Sequence, residues 1–178
     1  MTRIRQTGSR DIYHGRVFDV TVERFVDDDA GERVYEIEVV HHSGGAAVLP
    51  IDANGDAVLI RQWRYALGRT LLEIPAGRIE DGDEPGATAI RELEEEAGLT
   101  AGHLEALGSI LVAPGYTTER IYLYLATDLS PVASTPDDDE RIEVVRVPFD
   151  EAVRLIDAGE IDDAKTTVAL LKAAARRA

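Results

Sequence analysis

Glu92, Glu94, Glu95 and Glu96 crowd into five positions of the segment "AIRELEEEAGL", Ala89 to Leu99. On a helix, like charges three and four residues apart repel, at on the order of 0.2–0.5 kcal/mol per pair. Helical spacing puts Ala89, Ile90, Leu93 and Ala97 on one face, suited to packing on a sheet. Glu92, Glu95 and Glu96 share another face, directed away from that packing side, and Arg91 lies one turn before Glu95, where it can hold that carboxylate. Three carboxylates on one turn form an oxygen-rich site for a hard divalent cation. Magnesium favours such oxygens and completes its shell with water or phosphate oxygens. The plainer reading of the helix alone is a solvated acidic face.

The elements that must position these residues follow from the pattern of apolar side chains. "RVFDVTVERFV" (Arg16–Val26) and "RVYEIEVVHH" (Arg33–His42) alternate as strands do and form a hairpin across "DDDAG". "AAVLPI" and "AVLIRQWRY", joined by "DANGD", suggest another hairpin, and "TLLEIPAG" a short strand ending in a turn. The helix runs from Pro85 to Ala97, with proline in its first turn and Gly98 at its end. Strands "LEALGSILVAP" and "ERIYLYLATDL" flank the loop "APGYTT"; a polar loop "SPVASTPDDDE", a strand "RIEVVRVPF" and two helices, Asp150–Ala158 and Asp162–Ala175, complete the chain. Many strands, one central helix and a helical C-terminal part imply a mixed α+β fold. The expected division is a β extension over residues 1–42 and a main domain over 43–178.

The chain has 178 residues, of which 44% are hydrophobic, enough for one well-packed domain. No apolar run approaches the roughly 18 residues a membrane span needs. "MTRIRQTGSRD" lacks the apolar core of a signal peptide, so a cytoplasmic protein without membrane partners is expected. Cysteine is absent, which removes disulfides, thiolate nucleophiles and cysteine-based zinc sites. A net charge of −15 argues against nucleic acid as a partner. Among the 19 basic residues only Lys165 and Lys172 are lysine, a bias that fits a GC-rich genome first and a high-salt host second.

Gly77, Asp83, Arg91-Glu92-Leu93, Glu95-Glu96 and Gly98-Leu99 fit the spacing G-x5-E-x7-R-E-U-x-E-E-x-G-U, with aspartate in place of the first glutamate. The chain thus resembles the Nudix hydrolases, which cleave nucleoside diphosphates linked to another group. The resemblance implies a Nudix-type α/β/α sandwich with a mixed sheet and a magnesium cofactor, with manganese able to take its place. It also implies Glu92 and Glu96 as main metal ligands, Glu95 as a further ligand or support, and the Ala76 carbonyl as a backbone ligand. Arg91 would orient the carboxylates. At Asp83 the family pairs its acid with the box arginine, a role that Glu84 could assume.

"LIRQWRYALGRT" before "LLEIPAGRIEDGD", and Pro114 fifteen residues past Leu99, resemble the ADP-ribose pyrophosphatase branch. On that resemblance Pro114 and Gly115 form a substrate loop, and Arg64 contacts the diphosphate, with Arg78 behind it. Arginine suits phosphate because its fork bonds two oxygens. Trp63 stacks on adenine or fills a core or dimer contact, and Tyr13 and Phe18 are further stacking candidates. Water is positioned by an acid of "PDDDE": Glu140 first, then Asp139 and Asp138. The N-terminal hairpin would be exchanged in a homodimer. The implied reaction is hydrolysis of ADP-ribose to AMP and ribose 5-phosphate. Other nucleoside diphosphate sugars, such as GDP-mannose, are the alternative substrates. A non-catalytic ADP-ribose sensor fits less well, given the near-intact motif and the acidic charge. A small sanitiser of oxidised nucleotides would leave the hairpin and the Pro114 loop unexplained.

Overall fold

A computed structural model of the chain describes residues 3–134 and 141–177. These form two compact units, one of Met1–Gly44 with Leu111–Arg120 and one of Gly45–Ile110 with Ile121–Ala178.

In the first unit, β1 (Ile4–His14), β2 (Asp19–Asp27) and β3 (Arg33–His41) make an antiparallel sheet in the order β1-β2-β3. β2 and β3 are the hairpin expected from the sequence. β1 is an additional strand, and all of its residues are exposed. Ile12, Tyr13, Val17, Phe18, Val34 and Ile37 also lie exposed in this unit. The 111–120 loop is tied to β3: Val40 donates its N–H to the Tyr116 carbonyl at 2.8 Å and accepts from Thr118 N–H at 3.0 Å.

The second unit holds β4 (Gly45–Pro50), β5 (Asp56–Arg64), β6 (Arg69–Glu73), β7 (Ala76–Arg78), α1 (Pro85–Ala97), β8 (Leu99–Leu111), β9 (Arg120–Pro131), β10 (Ile142–Pro148), α2 (Phe149–Asp157) and α3 (Ala164–Arg177). Its two sheets run β7-β4-β9-β8 and β10-β5-β6. β4 pairs in parallel with β9 and antiparallel with β7. The expected β4–β5 hairpin is limited to one antiparallel bridge, Ile51 with Ala57, beside the turn. The "DANGD" turn is there, with Gly55 N–H on the Asp52 carbonyl, but each strand leaves it for a different sheet. The short strand expected at "TLLEIPAG" is β6, which stops before Pro75, a residue that cannot donate to a ladder; the chain beyond the proline pairs again as the three-residue β7.

β4 is buried along its whole length. Its residues alternate between two cores, as a strand covered on both faces must. Ala46 and Val48 join Val58, Ala89, Leu93, Leu99 and Ala126 beneath α1. Ala47 and Leu49 join Leu59, Ile74 and Leu123 with Phe149 and Ala152 of α2 and Ala169, Leu170 and Ala173 of α3. Helices therefore cover opposite faces, giving the α/β/α arrangement. Truncating Leu93, fully buried, to alanine costs about 2–5 kcal/mol.

Candidate active site

α1 starts at Pro85 and stops at Gly98, whose φ of 63° is a left-handed value that closes the helix with its N–H on the Glu94 carbonyl. Its first turn carries no acid and its last turn no base. The carboxylates therefore gather at the helix end where the peptide dipoles already favour cations. Local compensation comes from Arg91 and from the turn between β6 and β7.

Arg91 reaches Glu92 Oε1 from Nη2 at 2.8 Å and Glu95 Oε2 from Nη1 at 2.7 Å. Burial alone would lower the Arg91 pKa; the charges of Glu92 and Glu95 outweigh it and hold the guanidinium above its ordinary value, with Glu80 adding to the effect. Glu84 sits at the N-cap of α1, and Asp83 donates its N–H to the Glu80 carbonyl. Arg91 also donates to the Arg78 carbonyl at 3.4 Å.

The turn after β6 covers the acidic face. The Ala76 N–H donates to Glu96 Oε2 at 2.8 Å. Gly77 approaches Glu92 so closely that a Cβ there would lie 1.9 Å from Oε1 and 2.1 Å from Cδ. Glu92 and Glu96 are consequently buried, at 7% and 2% exposure. This corrects the expectation that they face away from the packed side: α1 is covered by the sheet on one flank and by the Pro75–Gly77 turn on another.

Among the described residues, no three acidic or histidine side chains converge closely enough to hold an ion as placed. Arg91 bridges Glu92 and Glu95, and Glu96 is engaged by Ala76. The donor set nonetheless fits a hard divalent cation: two buried carboxylates and one half-buried, within one turn and against a backbone that meets Glu92 directly because Gly77 carries no Cβ.

Arg64, the last residue of β5, forks onto Glu73 of β6, with Nε to Oε1 at 2.8 Å and Nη2 to Oε2 at 2.6 Å. The hydrogen bond to Glu73 raises the Arg64 pKa against the opposing effect of burial, and the charge of Glu96 raises it further. Among the α1 carboxylates it is Glu96 whose charge acts on Arg64. Glu73 is 1% exposed. Burial would raise its pKa, but the Arg64 hydrogen bond and the Lys165 and Arg64 charges lower it on balance. Lys165, in the first turn of α3, binds the same Oε2. Sequence reasoning missed Glu73 and Lys165. The signal was a lone acid inside the apolar run "LLEIP" and one of two lysines in the chain.

Strand alternation separates two other expected partners. Trp63 lies on the opposite side of β5 from Arg64 and is 41% exposed, which rules out a core role. It lines an open groove of about 880 Å³ with Arg61, Tyr65, Thr70, Arg141 and Glu143. Pro114 and Gly115 belong to the first unit, in the loop whose Ala113 carbonyl accepts from Tyr116 and Thr117 N–H. Asp138, Asp139 and Glu140 lie outside the described residues.

The model of the NUDIX domain matches residues 41–170. The ADP-ribose pyrophosphatase of Bacillus subtilis (strain 168) is 39% identical over 163 residues, covering 89% of this chain and 86% of that protein. The GDP-mannose pyrophosphatase of Yersinia enterocolitica is 37% identical over 154 residues, 80% of each chain. A solved structure titled as an ADP compounds hydrolase superposes with a TM-score of 0.85 over 98% of this chain and 94% of its own; at 22% identity it shows the fold. With a domain match over most of its length and these relatives, the chain belongs to the Nudix family and is a Nudix hydrolase, of a kind that generally depends on a divalent metal.

Proposed function

We propose that this chain hydrolyses the diphosphate bond of ADP-ribose, giving AMP and ribose 5-phosphate, with magnesium as the resident ion. The observation that carries the reading is the burial of Glu92 and Glu96 beneath the Gly77 turn, beside a guanidinium already within reach of Glu96. Glu92, Glu95, Glu96 and the Ala76 carbonyl would hold the ion, which when bound lowers the pKa of water and neutralises diphosphate oxygens. Arg91 orients Glu92 and Glu95. Arg64 and, secondarily, Arg78 bind the diphosphate, and Pro114 and Gly115 are further substrate contacts. Glu140 or Asp139, with Asp138 behind them, positions the attacking water. The reading includes a cytoplasmic homodimer that exchanges the N-terminal extension of residues 1–42; the exposed apolar side chains of the first sheet support it. Trp63, in its groove away from Arg64, serves the adenine or the second subunit. Among the described residues no helix is long and apolar enough to cross a membrane.

The relative that acts on GDP-mannose favours a second reading, in which another nucleoside diphosphate sugar is preferred. One assay separates the two. The purified protein is incubated with magnesium and either ADP-ribose or GDP-mannose, and the nucleoside monophosphate is followed by chromatography, with EDTA and Glu96→Gln as controls. AMP formed faster than GMP, and abolished by both controls, is the expected result. GMP formed in preference would transfer the assignment to the second reading, and cleavage of neither would remove both.

A further inference from the structure

Glu73 is a carboxylate at 1% exposure on the edge strand β6. A buried charge must be matched by a partner or it destabilises the fold by several kcal/mol. Two cations meet it. Arg64 takes both oxygens, and Lys165 takes Oε2 from the first turn of α3, ninety-two residues later in the chain. Lys165 is itself 7% exposed, and its Nζ also lies 3.0 Å from Asp163 Oδ2. Two positive and two negative groups thus close a balanced quartet.

The quartet is anchored to backbone at both ends. Asp163 caps α3, its Oδ2 accepting from Thr166 N–H at 3.0 Å and from Thr166 Oγ1 at 2.6 Å. Thr166 Oγ1 in turn accepts the Ile74 N–H at 2.9 Å. Ile74 leads directly into the Pro75–Gly77 turn that lies on Glu92 and Glu96. The first turn of α3 therefore grips the end of β6 by charge at Glu73 and the residue that follows it, Ile74, by hydrogen bond.

A guanidinium has five N–H donors in a fixed plane. Glu73 uses two, on the Nε and Nη2 side, and this fixes the direction of the rest. We propose that Lys165 is a positioning residue for the reaction: it neutralises Glu73 so that the Glu73 fork holds Arg64 in one orientation, with its remaining donors fixed for the diphosphate. The proposal rests on Arg64 as the diphosphate contact. Without Lys165, Oε2 of Glu73 loses its second partner and the carboxylate loses its charged tie to α3, so the fork that aims Arg64 is free to turn.

The test uses the full chain with magnesium and whichever nucleoside diphosphate sugar the wild type cleaves. Lys165→Met is compared with Glu73→Gln/Lys165→Met, which removes one charge of each sign and is the variant that folds if the single one does not. Leu170→Ala, in the same helix but outside the quartet, controls for destabilisation. Both Lys165 variants are expected to raise KM about tenfold with kcat within about twofold, the signature of lost binding rather than lost chemistry. Leu170→Ala is expected to lower Tm without moving KM. In parallel, the Arg64 Nε–H resonance, assigned by its loss in Arg64→Lys, is expected to be sharp and slow to exchange in the wild type and broadened in the Lys165 variants. An unchanged KM, or an Arg64 signal as sharp as in the wild type, would overturn the positioning role. If the wild type cleaves no such substrate, the functional reading fails by itself, and the resonance still decides whether Lys165 orders Arg64.

Discussion

Gly77 has no room for a side chain. The obstacle is the end of the Glu92 side chain, with Oε1 1.9 Å from where a Cβ would stand, so the backbone of an alanine there would fit while Glu92 would be pushed aside. Gly77→Ala is therefore expected to lower hydrolysis by on the order of a hundredfold, as loss of metal-site geometry does, while folding stability changes by about 1 kcal/mol. Measuring kcat with magnesium alongside a thermal melt checks this. A variant with wild-type turnover would show that Glu92 does not need its observed place. At this scale the sequence was legible where residues are close neighbours. Arg91 and Glu95 stand four apart, and their ion pair is found at 2.7 Å. It was silent where partners are distant: Glu73 and Lys165 meet only because β6 and α3 are brought together by packing. Burial of Glu92 and Glu96 was misjudged for the same reason, since the segment that covers them precedes the helix and folds back on it.

At the scale of elements, the junction of β6 with α3 depends on the ionisation of Glu73. Its pKa is lower in the folded protein than the ordinary value of 4.5. The unfolded chain thus takes up a proton first as pH falls, and the quartet's contribution, complete above that value, is lost as pH drops through the folded one. Glu73→Gln is expected to weaken the protein near neutral pH and to flatten the fall in stability below about pH 4.5. Urea unfolding at a series of pH values tests this, and equal acid slopes in the two proteins would sink it. α1 was legible as an element because Pro85 and Gly98 mark its ends chemically. β1 was not, because every one of its residues is exposed and no side of "IRQTGSRDIYH" carries a burial pattern. The β4–β5 connection misled because a turn sequence fixes only the turn. The ladder partners are chosen by β9, β7, β10 and β6.

For the whole molecule, the net charge of −15 opposes compaction, and part of that charge is concentrated on α1. Magnesium is expected to raise Tm by several degrees at low ionic strength, since an ion bound only by the folded form stabilises it by mass action. Sodium chloride at matched ionic strength is expected to give a smaller rise by screening alone. Equal shifts from the two salts in differential scanning calorimetry would remove the specific site from the explanation. The two-faced burial of β4 has a consequence for the growing chain. β4 is synthesised early and its parallel partner β9 some seventy residues later, so neither core can close until β9 has left the ribosome. The glutamate helix is made in between. Its acidic turn can be covered at once by the nearby Pro75–Gly77 segment, but its apolar side must wait for Ala126 of β9 to complete the surface on which it rests. During synthesis, the part of α1 that needs protection from other chains is thus Ala89 and Leu93 rather than its carboxylates.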